Sequence, residues 1–191
     1  MYPQYNKKSG WQGCNLTEIN GGKCNTEEDF YKACRAASIL GTLQAGYTDF
    51  KFLTDTSKLI FDREALLGVS ITGWMNNPDI LFDEKILQKG AEIVKEVNRE
   101  VAKIIGINAA ARTTCVKPSG NASVLLQTAS GIHAEHSNMY IRNVQMNKES
   151  EITQAIMKTN PYMVEDSVWS AGGTDVVVSF PILPKKGSLY K

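Results

Sequence analysis

The chain has 191 residues, enough for one domain or a large part of one, and 42% hydrophobic residues supply a core. Its 21 basic and 20 acidic residues nearly cancel, leaving a formal charge of +1, which gives no support for a nucleic-acid or membrane-surface partner. No apolar run approaches the roughly 20 residues of a membrane span, and the opening Met-Tyr-Pro-Gln-Tyr-Asn-Lys-Lys lacks the apolar stretch of a secretory leader, so the reading is a cytoplasmic protein.

Residues 1 to 13 are polar and read as a flexible lead-in. A helix is predicted from Thr26, where Thr26 and Asp29 resemble a capping box with a shortened acid. Phe30, Cys34, Ala37 and Gly41 follow at helical spacing, Ile39, Leu40 and Leu43 are read as widening the apolar face, and Gly46 marks the end. Leu66 to Thr72 reads as a buried strand, and the polar turn Asn76-Asn77-Pro78-Asp79 follows it. Residues 83 to 105 give the clearest helix, with a stripe of Ile86, Leu87, Ile93, Val94, Val97, Val101, Ile104 and Ile105 and a stop at Gly106.

Thr113 to Lys117 reads as a further strand broken by Pro118-Ser119-Gly120. Met139 to Met146 alternates, Glu149 to Lys158 reads as a short helix, and Asp175 to Phe180 reads as a strand stopped by Pro181 and Pro184. Strands alternating with helices favour a parallel α/β arrangement. The three or four visible strands would leave an edge open, and residues 183 to 191 form an open-ended tail, so residues 1 to 191 read as one incomplete domain of a larger barrel.

Four cysteines, Cys14, Cys24, Cys34 and Cys115, include no C-x-x-C pair, and His133 and His136 are the only histidines, so no metal site is expected. For Cys24, Cys34 and Cys115 the default is a small buried thiol. The run Pro118-Ser119-Gly120-Asn121-Ala122-Ser123 leads into Val124-Leu125-Leu126. A strand-to-helix turn of small residues aims backbone N–H groups and hydroxyls at one spot, which suits an anion, although a plain Ser-capped turn has the same composition.

Five segments occur in order: Cys14-Asn15-Leu16-Thr17-Glu18-Ile19, Gly68-Val69-Ser70-Ile71-Thr72-Gly73, Lys117-Pro118-Ser119-Gly120, Ser130-Gly131-Ile132-His133 and Val178-Ser179-Phe180-Pro181. In order and approximate spacing they resemble segments of the ribonucleotide reductase catalytic chain, from about residue 11 to residue 182, in wording closer to the adenosylcobalamin-dependent class than to the di-iron class. The resemblance implies part of a ten-stranded α/β barrel around a finger loop. It also implies a thiyl radical that removes the 3′-hydrogen of a ribonucleotide, and a cysteine pair that delivers two reducing equivalents as the 2′-hydroxyl leaves. It matches Cys14 to one member of that pair and residues Pro118, Ser119, Gly120, Asn121, Ala122 and Ser123 to the cradle for substrate phosphates, with Asn121 where the family more often has Thr. Gly131, Ile132 and His133 match a restrained turn at the active-site mouth. There the family usually continues Pro-Arg and this chain has Ala134-Glu135, and a structural role for His133 is favoured over proton transfer.

The family's radical cysteine sits with a glutamate in an Asn-Pro-Cys-x-Glu-like motif shortly before the Cys-Asn-Leu segment, and Met1 to Gly13 contain neither residue type. The implied partners are therefore complementary segments of a split or longer reductase carrying that cysteine and the adenosylcobalamin contacts, a ribonucleotide substrate and a thioredoxin-like reductant. Two alternatives stand beside this: a non-catalytic remnant with the same fold, and a phosphate-ligand binding or interaction module supported by the 118–123 loop alone.

Overall fold

A computed structural model describes residues 3–191. The chain divides into two compact units, one running to Glu135 and including Lys185–Leu189, the other comprising His136–Pro184 with the last two residues.

The first unit opens with a small antiparallel hairpin, β1 (Gln4–Tyr5) and β2 (Lys8–Ser9), where the polar composition had suggested only a loop. Its two turn residues, Asn6 and Lys7, both have positive φ, as a two-residue hairpin turn demands. Arg63 Nη1 donates to the Gln4 carbonyl at 3.0 Å, and Trp11 N–H donates to Ser57 Oγ at 3.0 Å. β3 (Asn15–Asn20) then leads to α1 (Glu27–Ala45), which begins with the anticipated capping box: Asp29 N–H donates to Thr26 Oγ1 and Thr26 N–H to Asp29 Oδ2, each at 3.1 Å. Phe30, Cys34, Ala37, Ser38, Gly41 and Thr42 form its buried stripe. Leu40 is 61% exposed and Leu43 44%, so they do not widen that stripe; at 100° per residue they fall on the opposite side.

α2 (Asp55–Glu64) escaped the periodicity reading because only Ser57 and Ile60 of its ten residues are buried. β4 (Leu67–Thr72) lies parallel to β3, in register from Asn15↔Leu67 to Asn20↔Thr72. α3 (Pro78–Leu81) is a single turn, and α4 (Glu84–Ile105) is capped by Asp83, whose Oδ1 accepts from Ile86 N–H at 3.0 Å, and ended by Gly106 at φ 76°. Its buried stripe is Ile86, Gly90, Val94, Val97, Asn98 and Ala102, while Ile104 is 81% exposed. Small and polar residues build the α1–α4 seam. A Cβ on Gly90 would lie 2.5 Å from the Phe30 ring. Ser38 Oγ donates to the Val94 carbonyl at 2.8 Å, and Asn98 Nδ2 donates to Thr42 Oγ1 at 2.9 Å. Residues 113 to 117, expected as a strand, contribute one parallel bridge, Val69–Thr114, flanked by Val69 N–H to Thr113 O and Cys115 N–H to Val69 O, both at 3.0 Å. α5 (Asn121–Leu126) follows.

The second unit is a three-stranded sheet of β5 (Tyr140–Asn147), β6 (Val164–Asp166) and β7 (Asp175–Ile182), with α6 (Glu151–Thr159) between β5 and β6. The order is β5-β7-β6 and every pairing is antiparallel, which corrects the parallel expectation for this half. Helix–strand alternation fixes the element order but not strand direction. β7 also runs through Pro181 to Ile182; β6 pairs only as far as Val178, so Pro181 removes no ladder donor on that side. Val176 and Val178 are its buried centre. Among the described residues no helix is long and apolar enough to cross a membrane.

Candidate active site

The two faces of the β3–β4 sheet differ because side chains alternate along a strand. Ile19 and Val69 point into the core beneath α1 and α4. Leu16, Glu18 and Asn20, with their register partners Gly68, Ser70 and Thr72, point to the other face. Cys115 and Lys117 join that second face from the far side of β4, since the Val69–Thr114 bridge puts Thr114 on the core side.

Small residues on β4 let its neighbours meet across it. An ideal Cβ on Gly68 would lie 2.8 Å from Cys14 Sγ, 3.0 Å from Cys115 Sγ and 2.5 Å from Leu16 Cδ2. One rung further on, Lys117 Nζ lies 2.9 Å from Glu18 Oε2. That pair is an ion pair by distance but not aligned as a hydrogen bond: neither Glu18 oxygen, nor the buried Ser70 Oγ, has a hydrogen-bond partner among the described residues. Cys14 is exposed and Cys115 half-buried. Desolvation, and then the neighbouring Cys115, raise the Cys14 thiol above its ordinary value; desolvation does the same for Cys115, opposed by Lys117 and aided by Glu18. Both therefore rest as protonated thiols at neutral pH.

Residues 118 to 133 cover the carboxyl ends of β3 and β4, the end at which open α/β sheets bind ligands. Asn20 Nδ2 donates to the Leu126 carbonyl at 2.9 Å, Thr72 Oγ1 to the Ala129 carbonyl at 3.0 Å, and Gly131 N–H to Thr72 Oγ1 at 2.8 Å. Within the loop, Ser123 Oγ donates to the Gly120 carbonyl at 2.9 Å, and Ser130 Oγ makes a short bond to the Ser119 carbonyl. Ser119 is 5% exposed, yet its hydroxyl has no partner among the described residues. Gly120 is exposed, and a Cβ there would meet nothing within 4 Å. The first N–H groups of α5 have no partner within the helix.

The sequence-designated residues thus fall into two places. Cys14 stands at the amino end of the polar face, and Pro118, Ser119, Gly120, Asn121, Ala122 and Ser123 stand beyond its carboxyl end. Gly131, at φ 55°, accepts from Gly73 and Trp74 N–H, both at 3.2 Å, so it pins the 130–133 turn to the end of β4. Ile132 is 49% exposed and His133 is exposed; His133 N–H closes the turn on the Ser130 carbonyl at 2.9 Å. Glu135 is buried and accepts from Asn76 Nδ2 at 3.0 Å in a network with Ser188. Sequence reasoning missed Glu18, Lys117 and the nearness of Cys115 to Cys14. The signal available was the period-two pattern Gly68-x-Ser70-x-Thr72 beside Leu16-x-Glu18-x-Asn20. Among the described residues no group of three or more His, Cys, Asp and Glu could hold a metal ion.

No family model matches the chain. It is 28% identical over 180 residues to a probable adenosylcobalamin-dependent ribonucleoside-triphosphate reductase of Dictyostelium discoideum, covering 91% of this chain and 23% of the relative. It is 26% identical over 176 residues to the adenosylcobalamin-dependent ribonucleoside-triphosphate reductase of Euglena gracilis, covering 88% and 23%. The chain therefore spans about a quarter of the length of these curated relatives. Its fold matches a crystal structure of a B12-dependent, class II ribonucleotide reductase with a TM-score of 0.67 at 17% identity, over 91% of this chain and 28% of that one. The resemblance carried by the five motifs, the adenosylcobalamin-dependent class of the relatives and the reading of a partial α/β barrel are borne out.

Proposed function

We propose, from this kinship with adenosylcobalamin-dependent ribonucleotide reductases, that the chain contributes a substrate-phosphate loop and one redox-active thiol to an enzyme reducing ribonucleotides to 2′-deoxyribonucleotides. The observation that carries the reading is the placement of Cys14 and the 118–123 loop at opposite ends of one polar sheet face. From Cys115, beside Cys14, to Ser119 the extended chain covers about 13 Å at ~3.3 Å per residue, the scale of a ribose with its phosphates.

In this reading the first-turn N–H groups of α5, the exposed Gly120 backbone and the buried Ser119 hydroxyl receive the phosphates. Ser123 serves differently: its hydroxyl holds the Gly120 carbonyl and so shapes the loop. Cys14 and a partner thiol on a complementary segment each give up a proton and together two electrons, closing a disulfide as the 2′-hydroxyl leaves as water; a thioredoxin-like dithiol then reopens it. Bound adenosylcobalamin supplies the radical chemistry. The chain's own apolar cavity of about 390 Å³, lined by core residues such as Ile19, Phe30 and Val94, has the lining of a packing gap and does not fit a corrinoid. The cofactor and the radical cysteine with its glutamate belong to other segments.

The test is binding in an assembly with those segments. Gly120→Val should weaken a ribonucleotide tenfold to a hundredfold, roughly the 1.5–3 kcal/mol of a charge-assisted hydrogen bond, and leave the free nucleoside unchanged. A Cβ at Gly120 would meet no protein atom within 4 Å, so a loss confined to the nucleotide reports ligand approach. Equal effects on nucleotide and nucleoside would move the phosphate site elsewhere. The 191-residue chain alone should show no nucleotide reduction with adenosylcobalamin and a dithiol, and turnover by it would require a radical site within these residues.

A further inference from the structure

Asn76, in the turn after β4, is 3% exposed, and its side-chain amide is hydrogen-bonded on both sides. Its Oδ1 accepts from Thr128 Oγ1 at 2.6 Å and from Ala129 N–H at 2.7 Å. Its Nδ2 donates to Glu135 Oε1 at 3.0 Å and to Ser188 Oγ at 2.8 Å. The amide can sit only this way round. A backbone N–H cannot accept, so the oxygen must face Ala129, and the nitrogen then faces Glu135. Thr128 is seated as tightly: a Cβ on Gly22 or on Gly73 would collide with its Oγ1. From there the phosphate loop is held by its far end. Thr128 N–H donates to the Ser123 carbonyl at 3.1 Å, and Ser130 Oγ reaches the Ser119 carbonyl, so whatever fixes 128–130 fixes both ends of 119–123.

We infer that Asn76 is the positioning residue of the 118–131 loop, and that Glu135 and Ser188 hold its amide in the orientation the loop requires. The inference rests on the reading of that loop as the phosphate cradle, and Asn76 acts through Thr128 and Ala129 rather than on a ligand. It gives the buried acid at position 135 a task. An arginine there would present donors only, and would draw the amide oxygen away from Ala129. Ser188 ties the segment Lys185–Leu189 to the same turn: its Oγ donates to the Lys185 carbonyl at 2.7 Å, and Leu189 N–H donates to the Met75 carbonyl at 2.8 Å.

Asn76→Asp keeps the shape of the side chain but removes both donors and sets a carboxylate against Glu135. In amide hydrogen exchange of the full chain, read by mass spectrometry, residues 118–131 should then exchange at least about tenfold faster, because buried groups are left unpaired. α1 and α4 should keep their rates. Adding Glu135→Gln supplies a donor from the opposite side, so the double variant should recover most of the protection, which a defect of packing alone would not allow. Thr128→Val, which removes one donor at nearly constant volume, should loosen the same stretch and serves if Asn76→Asp does not fold. Unchanged exchange in 118–131, or a rise shared equally by α1 and α4, would overturn the inference. In the assembly, Asn76→Asp should weaken a ribonucleotide at least about tenfold more than the free nucleoside. A loosened loop with unaltered nucleotide affinity would keep Asn76 as the anchor of the loop and overturn the phosphate reading instead.

Discussion

The β3–β4 sheet carries two cysteines near each of its faces, and the two pairs differ in everything except chemistry. On the helix side Cys24 and Cys34 are enclosed with Phe30, Val69 and Val94, and burial pushes their thiols up to about 11 and about 12. On the other side Cys14 and Cys115 converge with Leu16 over Gly68, beside an ion pair and a buried serine hydroxyl with no partner among the described residues. One face is packed to exclude water and fixes the fold; the other keeps polar atoms unmatched, as a ligand site does. Sulfur in the first is a small apolar filler, whereas in the second it stands exposed at Cys14 and half-buried at Cys115.

The largest effect expected from this contrast is at Cys14. In the assembled enzyme Cys14→Ser should reduce thiol-driven multiple turnover to background with substrate binding retained, because a hydroxyl cannot close a disulfide. Turnover at the unmodified rate would make Cys14 a bystander. On the packed face, Phe30→Ala should cost about 3–5 kcal/mol in urea denaturation, the range for emptying a buried aromatic site. A cost under about 1 kcal/mol would mean the α1–α4 seam collapses freely around Gly90.

Alkali separates the two faces further. Cys34 and Cys24 hold their protons in the folded chain up to about 12 and about 11, whereas the unfolded thiols lose theirs near the ordinary 9.0. The folded state therefore binds more protons across that window, and stability, intact below pH 9, falls as pH rises through it. Urea midpoints at successive pH values should decline from pH 9 upward, and less steeply in Cys34→Ala; parallel declines would remove the buried thiol as the cause. The smallest effect is expected at Ser70. Its hydroxyl is buried without a partner among the described residues, so Ser70→Ala should leave stability within about 0.5 kcal/mol or raise it. A loss above about 1.5 kcal/mol would show that the polar face also supports the fold.

The elements most legible in the sequence are those whose information is local. The Thr26–Asp29 box, the Asp83 and Gly106 ends of α4 and the apolar run of β4 are each specified by a few adjacent residues, and all are found where their chemistry requires. α2 and β3 were illegible because each buries too few residues to leave a period. The amphipathic reading of Leu40 and Ile104 failed because hydrophobicity alone does not say which side of a helix meets the core. Of the candidate site, the Cys14 segment and the 118–123 loop could be picked out by order and wording. Glu18, Lys117 and Cys115 could not, since their significance lies in meeting across β4.

By itself the sequence determined helix caps, strand cores, the order of elements and the kinship carried by five short segments, because these depend on neighbours a few residues apart. Only the tertiary structure decided strand direction, parallel for β3–β4 and antiparallel for β5-β7-β6, since the same alternating pattern suits either ladder. It also decided that a glycine at position 68 brings two sulfurs from flanking strands to one point, a contact between residues some hundred positions apart that no local pattern encodes.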